Sequence, residues 1–160
     1  MMARPMTKQQ IETALCRALN NFIEKDSHLL AADTSERSMC HRLAMHLAHE
    51  MRSYDVDCEY NRDGFDIKRL RLTSRGTTDN DQEAVTVFPD IIVHRRGENE
   101  HNLLVIEMKK ASGRFGQDYD YDIEKLRAFR RELGYTFAVH VVIGYCHKGT
   151  LERKVVWIGD

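Results

Sequence analysis

The sequence predicts an α/β domain in which helices flank a mixed central β-sheet. Three patterns support this fold class. Apolar residues recur at helical spacing in residues 8–25 and again in about residues 33–53. From residue 56 the apolar period changes to two, which is typical of half-buried strands. The continuous apolar run LLVI at residues 103–106 then indicates a central strand that is covered on both faces.

The first helix is predicted over residues 8–25. Thr7 and Gln10 form a capping box at its start. The apolar residues behind this box follow the period of 3.6, and they are Ile11, Ala14, Leu15, Ala18, Leu19, Phe22 and Ile23.

Asp33 and Glu36 form a second capping box, which predicts a helix that ends near Ser53. Glu36 precedes apolar residues by four, seven and eleven positions, namely Cys40, Leu43 and Leu47. It therefore lies on or near the apolar stripe of this helix. Two interpretations are compatible with that position: a capping carboxylate favoured by the helix dipole, or a functional carboxylate that faces the sheet.

The remaining elements alternate between strands and one helix. Residues 56–60 predict a strand, Asp63-Gly64 a turn, and residues 65–72 a returning strand, followed by a polar loop over residues 73–84. The later predictions are strands at 85–93 and 103–106, a turn at 95–102, a loop at 111–117, a helix from Asp118 or Asp120 to Gly134, and strands at 136–145 and 155–158.

Composition excludes several classes of protein. The 160 residues contain 24 Lys and Arg against 25 Asp and Glu, so nucleic acid could be bound only through a local patch. No apolar run approaches the roughly 20 residues that span a bilayer, and the N-terminus lacks a secretory signal. The four cysteines have neither zinc-finger nor disulfide-framework spacing. We therefore expect a single-domain cytoplasmic protein with reduced thiols.

A candidate site emerges where a proline interrupts the strand at 85–93. Pro89 marks a bulge, an edge or a strand start, and it directly precedes Asp90. Opposed residues in an antiparallel hairpin have a constant sum of residue numbers. A turn centred between residues 98 and 99 makes this sum 197 and places Asp90 opposite Glu107. Lys109 lies two residues further and shares the face of Glu107.

Two carboxylates this close repel each other unless a cation compensates for them. Hard oxygen ligands on a hairpin suit Mg²⁺ or Mn²⁺, and Lys109 could polarise a phosphate beside the metal. A structural interpretation also stands: Glu107, Lys109 and Lys110 could form a solvated strand end, with Asp90 in a kink. A slip of one residue would move Glu107 to the other face.

The segment FPDIIVHRRGENEHNLLVIEMKK resembles the PD-(D/E)xK nuclease superfamily, which has the restriction-endonuclease-like fold. The resemblance is carried by Pro89-Asp90, the sixteen following residues and Glu107-Met108-Lys109, with helices on both sides of the unit. It covers residues 33–145, which is most of the chain. It implies a restriction-endonuclease-like core with a mixed sheet between helices.

The resemblance also implies roles for particular residues. Asp90 and Glu107 would ligate Mg²⁺ or Mn²⁺ together with the backbone carbonyl of Met108. Lys109 would orient the attacking water or stabilise the transition state. Glu36 would be the additional glutamate that many members contribute from the helix before the sheet.

Further residues are candidates for substrate binding. Gln117 and Tyr121 match the Q-x-x-x-Y spacing of RecB-like members, although a loop glutamine and a helix tyrosine are the simpler interpretation. Positive charges also cluster in two segments, either of which could bind phosphates or form solvated surface. The candidates are Arg62, Lys68, Arg69, Arg71, Arg75 and Lys110, with Lys125, Arg127, Arg130 and Arg131 on the third helix.

The leading hypothesis is therefore a metal-dependent nuclease that hydrolyses phosphodiester bonds of DNA, or of RNA. The alternative is an inert nuclease-fold module that serves in interaction or regulation, and a hydrolase of small nucleotides would use the same site. A homodimer is plausible because a duplex offers two strands to one site per chain. Phage or defence systems are suggested by analogy alone.

Overall fold

In a computed structural model of the protein, the described residues are 4–63, 66–67, 69–73, 82–113 and 117–159. Three helices come first in this part of the chain, strands fill its middle, and a fourth helix precedes the last two strands. The elements are α1 (Lys8–Lys25), α2 (Ser27–Ala31), α3 (Glu36–Glu50), β1 (Asp55–Cys58), β2 (Arg62–Asp63), β3 (Asp66–Ile67), β4 (Arg69–Thr73), β5 (Gln82–Thr86), β6 (Ile91–His94), β7 (Leu104–Lys110), α4 (Gln117–Leu133), β8 (Phe137–Tyr145) and β9 (Leu151–Trp157).

The main sheet has five strands in the order β1-β6-β7-β8-β9. Strand β7 runs parallel to β8, and the other three pairings are antiparallel. The parallel pair is joined through α4, because two parallel strands need a crossover connection. The predicted α/β class with a mixed sheet between helices is therefore confirmed.

Successive residues of the central strands point to opposite layers of the molecule. Leu104, Ile106 and Met108 of β7 belong to the core that α1, α2 and α3 cover. Val105 points to the other core, which contains residues of α4. Glu107 and Lys109 have the same parity as Val105, so they face α4. The alternation of the strand thus delivers the two charged side chains to one layer.

The N-terminal helices differ from the prediction in one informative place. Helix α1 begins with the expected capping box of Thr7 and Gln10. Helix α3, however, is capped by Ser35, whose side chain accepts the N–H of Ser38. The predicted Asp33–Glu36 capping box is wrong, because the backbone at Asp33 is left-handed, with a φ of 50°, and follows the short unpredicted helix α2.

The strands around Pro89 also differ from the prediction. The predicted strand at 85–93 is divided into β5 and β6, because Pro89 has no N–H for a ladder and residues 87–89 leave the extended pairing. The predicted polar loop at 73–84 instead ends in β5, which pairs with β4. The predicted returning strand at 65–72 is divided into β3 and β4. Helix α4 begins at Gln117, so Gln117 is not a loop residue.

The C-terminal elements follow the prediction closely. Gly134, with a φ of 68°, ends α4 in the conformation that glycine adopts without strain. Strand β9 is longer than predicted and pairs with β8 over Leu151–Trp157. None of the helices that the structure describes is both long and apolar enough to cross a membrane.

Candidate active site

The hairpin of β6 and β7 has the predicted register. Ile91 pairs with Ile106 and Val93 pairs with Leu104, so the residue numbers of each pair add up to 197. Asp90 directly precedes β6, and continuing this register brings it to Glu107. One oxygen of the Asp90 carboxylate, Oδ2, accepts the backbone N–H of Met108 at 2.8 Å. This hydrogen bond fixes the aspartate at the middle of β7.

The irregular segment before β6 is held by the end of β1. The N–H of Glu59 donates to the carbonyl of Pro89 at 2.9 Å and lies 3.3 Å from that of Asp90. Pro89 is buried, whereas Phe88 is 53% exposed. Pro89 therefore lies between β5, which pairs with β4, and β6, which pairs with β1 and β7. Asp90 follows the proline directly and precedes β6.

Glu107 is one of the few buried charged residues among those described, with 2% of its surface exposed. Its Oε1 lies 2.9 Å from Nζ of Lys125, an ion-pair contact, and the same ammonium donates to the carbonyl of Phe88 at 3.0 Å. Burial and the nearby Asp90 carboxylate raise the pKa of Glu107 to about 8, despite Lys125. Burial also raises the pKa of Asp90, although the N–H of Met108 opposes this shift.

Lys109 lies beside Glu107 on the α4 side of β7. Its Nζ is 3.5 Å from Oδ2 of Asp122 and 4.0 Å from Oε1 of Glu36. Burial alone would lower the pKa of Lys109, but the carboxylates of Asp122 and Glu36 outweigh burial and raise it. The lysine is therefore a fixed positive charge at the C-terminal half of β7.

Glu36 reaches the same strand from the first turn of α3. Its Oε2 accepts the backbone N–H of Lys110 at 2.9 Å. The Glu36 carboxylate therefore links α3 to β7 and does not take part in the predicted capping box. The side chain of Lys110 is engaged elsewhere: its Nζ lies 3.1 Å from Oδ1 of Asp33. The substrate-binding role of Lys110 stays a prediction.

A cavity of about 740 Å³ opens between α3 and β1 beside these carboxylates. Glu36 and Asp90 contribute to its lining, which also includes guanidinium, imidazole and thiol side chains, namely Arg37, Arg42, His41, Cys40 and Cys58. Burial and the neighbouring carboxylates raise the pKa of the Cys40 thiol, and burial raises that of Cys58 to about 11. Both thiols are therefore protonated at neutral pH and are poor nucleophiles.

The sequence resemblance implies Mg²⁺ or Mn²⁺ at this site. In the described ranges, no three His, Cys, Asp or Glu side chains are grouped so as to hold a metal ion. Asp90 and Glu107 nevertheless provide one half-buried and one buried carboxylate, and Mg²⁺ typically uses one or two carboxylates together with waters and substrate phosphates. Glu36 and Asp122 contact the ammonium group of Lys109, and Glu107 contacts that of Lys125. The donor chemistry of Asp90 and Glu107 fits a divalent cation.

Two of the predicted substrate residues, Lys68 and Arg75, lie outside the described residues. Arg62, Arg69 and Arg71 lie in the small strands β2 and β4, and Gln117 is the first residue of α4. Tyr121 is half-buried and packs against the apolar core under α4.

The positive charges of α4 do not form one patch. Lys125 is turned into the site, with 12% of its side chain exposed. Arg130 donates to the carbonyl of Ile158, and Arg131 pairs with the adjacent Glu132. The predicted phosphate-binding group on this helix therefore separates into one site lysine and arginines nearer to the C-terminal end of α4.

Three residues of the site were missed from the sequence: Asp122, Lys125 as a partner of Glu107, and His140. Asp122 precedes the buried Leu126, Phe129 and Leu133 by four, seven and eleven positions. This is the same spacing that singled out Glu36, so the signal was present in α4. His140 carried no such signal, because its position beside Glu107 depends on the parallel register of β7 and β8.

The chain was compared with known proteins by a scan of family models and by searches of curated proteins and solved structures, and none of the three found a match.

Proposed function

We propose that this chain is a metal-dependent phosphodiesterase that hydrolyses DNA, with RNA as the alternative substrate. The observation that carries the proposal is the meeting of Asp90 with the middle of β7, where its Oδ2 accepts the N–H of Met108 beside Glu107. A lysine on the same face completes the set, since the side chain of Lys109 follows that of Glu107 on the α4 side.

The resemblance to the PD-(D/E)xK superfamily supports the same proposal. The proposal includes a restriction-endonuclease-like core, which the resemblance implies, and also a homodimer and a cytoplasmic location. In the main sheet, α3 and β1 precede the hairpin of β6 and β7, and α4 and the parallel strand β8 follow it, so helices lie on both sides of the hairpin as the resemblance implies. Four free cysteines agree with a reducing compartment.

The residues divide the chemistry among them. Asp90, Glu107 and the carbonyl of Met108 are the oxygen atoms that would hold a divalent cation. Such a cation would supply Lewis-acid chemistry, which polarises a phosphate and lowers the pKa of a water. Lys109 holds its ammonium group, as a fixed positive charge, beside the phosphate oxygens on which negative charge develops. Glu36 keeps the end of β7 in place through the N–H of Lys110.

The inert module remains a second candidate because of one specific contact. Lys125 already supplies a positive charge 2.9 Å from Oε1 of Glu107. An ammonium group in that position neutralises one carboxylate without a metal. A protein that uses this pair only for stability would bind Mn²⁺ weakly, and substitution of Asp90 would leave that weak binding unchanged.

The test is incubation of labelled single- and double-stranded DNA and RNA with Mn²⁺, Mg²⁺ or EDTA. We expect cleavage with metal, none with EDTA, and a loss of at least about a hundredfold in Asp90→Asn and Lys109→Met. Lys8→Met and Glu12→Gln are matched controls, because this exposed pair lies on α1 away from the site. Full activity of Asp90→Asn would refute the site, and free nucleotides in a parallel assay would reveal a small-molecule hydrolase.

A further inference from the structure

A buried polar group lies beneath α4, next to the candidate site. The carboxylate of Asp122 is the centre of this group. Its Oδ2 lies 3.5 Å from Nζ of Lys109 and 3.3 Å from Nε2 of His140. The ring of His140 meets the ring of Tyr119 edge-on, with 5.0 Å between centroids. The carboxylate therefore connects the site lysine to a histidine inside the protein.

The fold brings these residues together from three elements. Asp122 lies on the buried stripe of α4, and α4 packs against both β7 and β8. The parallel register pairs Glu107 with His140 on the neighbouring strand. Lys109 follows two residues after Glu107 and so lies on the same face. The group is thus assembled by the crossover between the two parallel strands.

Burying this group is costly unless each member has a partner. His140 has no exposed surface, and the side chain of Asp122 is 7% exposed. A carboxylate that leaves water loses solvation energy, which only hydrogen bonds and opposite charges offset. Apolar residues such as Leu126 and Ala138 fill the same layer without that penalty. The polar group is therefore not required for packing in this layer.

Its effect on Lys109 is specific. A lysine side chain has four rotatable carbon–carbon bonds, and it loses rotamer entropy when it is held in one place. The carboxylate of Glu36 lies farther from this ammonium, at 4.0 Å, and makes a weaker contact. Asp122 is fixed by the hydrogen bond of His140, so it can restrict the ammonium group in a way that an unsupported carboxylate could not.

We propose that Asp122, held by His140, is a positioning residue that fixes the ammonium group of Lys109 for catalysis. The inference rests on the proposed phosphodiesterase function and deepens it. Asp122 belongs neither to the metal ligands nor to the substrate contacts. It acts through Lys109, so its removal should lower kcat while leaving substrate affinity and metal affinity nearly unchanged.

The experiment is a double-mutant cycle with Asp122→Asn, Lys109→Met and the double variant, measured with an oligonucleotide and Mn²⁺. We expect Asp122→Asn to lower kcat by roughly 10- to 100-fold, with KM and the calorimetric Mn²⁺ affinity changed less than about threefold. In the Lys109→Met background, Asp122→Asn should have no further effect, because the group that it positions is absent. Additive losses in the double variant would overturn the proposal, and so would a loss that appears only in KM.

A second pair of variants keeps the test decisive if Asp122→Asn does not fold. His140→Gln retains an amide donor near the place of Nε2, whereas His140→Leu removes the donor. We expect His140→Gln to keep kcat within about threefold of wild type and His140→Leu to lower it as Asp122→Asn does. Equal activity of the two variants would overturn the role of His140.

Failure of the proposed function gives a different experimental result from failure of the positioning role. If the wild-type protein binds Mn²⁺ but cleaves no nucleic acid, the phosphodiesterase function falls, and the catalytic role of Asp122 falls with it. If the wild type cleaves and Asp122→Asn cleaves equally well, only the positioning role falls. Glu12→Gln, an exposed acid on α1, serves as the control for loss of a carboxylate.

Discussion

The ammonium group of Lys125 lies 2.9 Å from Oε1 of Glu107, in the position that a cation would take beside this carboxylate. The pair joins α4 to the middle of β7. Sequence patterns placed Lys125 on a phosphate-binding helix face, whereas the structure turns it inward. Lys125 therefore either competes with the proposed metal for Glu107 or balances the charge of Glu107 in a protein that binds no metal there. Measurements of metal binding distinguish the two.

Lys125→Met is expected to increase the affinity for Mn²⁺ at pH 8.5 by at least about threefold, because it removes a like charge from the neighbourhood of the bound cation. The measurement is a calorimetric titration of wild type and variant, with Lys8→Met as the control. An unchanged or weaker affinity would show that Lys125 does not compete with the metal. Absence of binding in both proteins would instead favour the inert module.

The same variant should be less stable without metal. Loss of one partner leaves the buried Glu107 without its nearest positive charge, which we expect to lower the free energy of unfolding by roughly 1–3 kcal/mol. Urea denaturation with EDTA measures this difference. Saturating Mn²⁺ should reduce the deficit, since the cation replaces the missing charge. A deficit that persists unchanged with Mn²⁺ would argue against binding at Glu107.

Metal binding is expected to release protons. The pKa of Glu107 is raised to about 8, so this carboxyl is largely protonated at pH 6.5 and must ionise to bind a cation. The apparent Mn²⁺ affinity should therefore rise with pH up to about 8 and then level off. Titrations in two buffers of different ionisation enthalpy measure the number of protons released. A flat affinity between pH 6 and pH 8 would exclude Glu107 as a ligand.

The pKa of Glu107 also sets the pH dependence of stability. Its folded value of about 8 lies above the value of 4.5 that is usual for glutamate, so the folded state binds more protons between these limits. The contribution of Glu107 to the stability of the metal-free protein is therefore fully present below pH 4.5 and is lost as pH rises through about 8. Glu107→Gln removes this slope, and its advantage over wild type should grow to about 1–3 kcal/mol at pH 8.5. Parallel pH profiles of the two proteins would contradict this expectation.

The pH dependence of stability expected from Asp26 is opposite to that expected from Glu107. It links the end of α1 to α3 through Arg42 Nε at 2.9 Å and His46 Nε2 at 2.7 Å. Burial raises the pKa of Asp26, but the hydrogen bonds of His46 and Arg42 more than offset burial and lower it. The stabilisation is thus present above about pH 3.8, the usual value, and is lost as pH falls through the folded pKa.

Asp26→Asn should therefore lower the free energy of unfolding by about 1 kcal/mol at pH 6.5, and the difference should shrink below pH 3.8. Urea denaturation over this pH range measures it. Glu12→Gln, which removes an exposed ion pair, should change stability by less than about 0.5 kcal/mol. A constant difference down to pH 3 would mean that the asparagine disturbs packing and not charge.

The sequence predicted the hairpin of the site better than its surroundings. Hydrophobic alternation and a turn at residues 98–99 were enough for the register, because a shift of one residue would bury the wrong face of β7. At Pro89 the sequence indicated only a local irregularity, and it did not predict that the strand at 85–93 divides into β5 and β6. The pairing of β4 with β5 was missed, since Gln82 and Glu83 have little strand propensity and their pairing depends on the strand opposite.

What the sequence determined by itself was local: the helical stripes, the alternation along β7, and the separation of Asp90 from Glu107 around one turn. Each follows from periodicity, which a chain carries without reference to its partners. Only the tertiary structure placed Lys125 against Glu107, and Asp122 and His140 behind Lys109. Those contacts join α4 and β8 to β7, and the energy of a buried charge depends on every element packed around it.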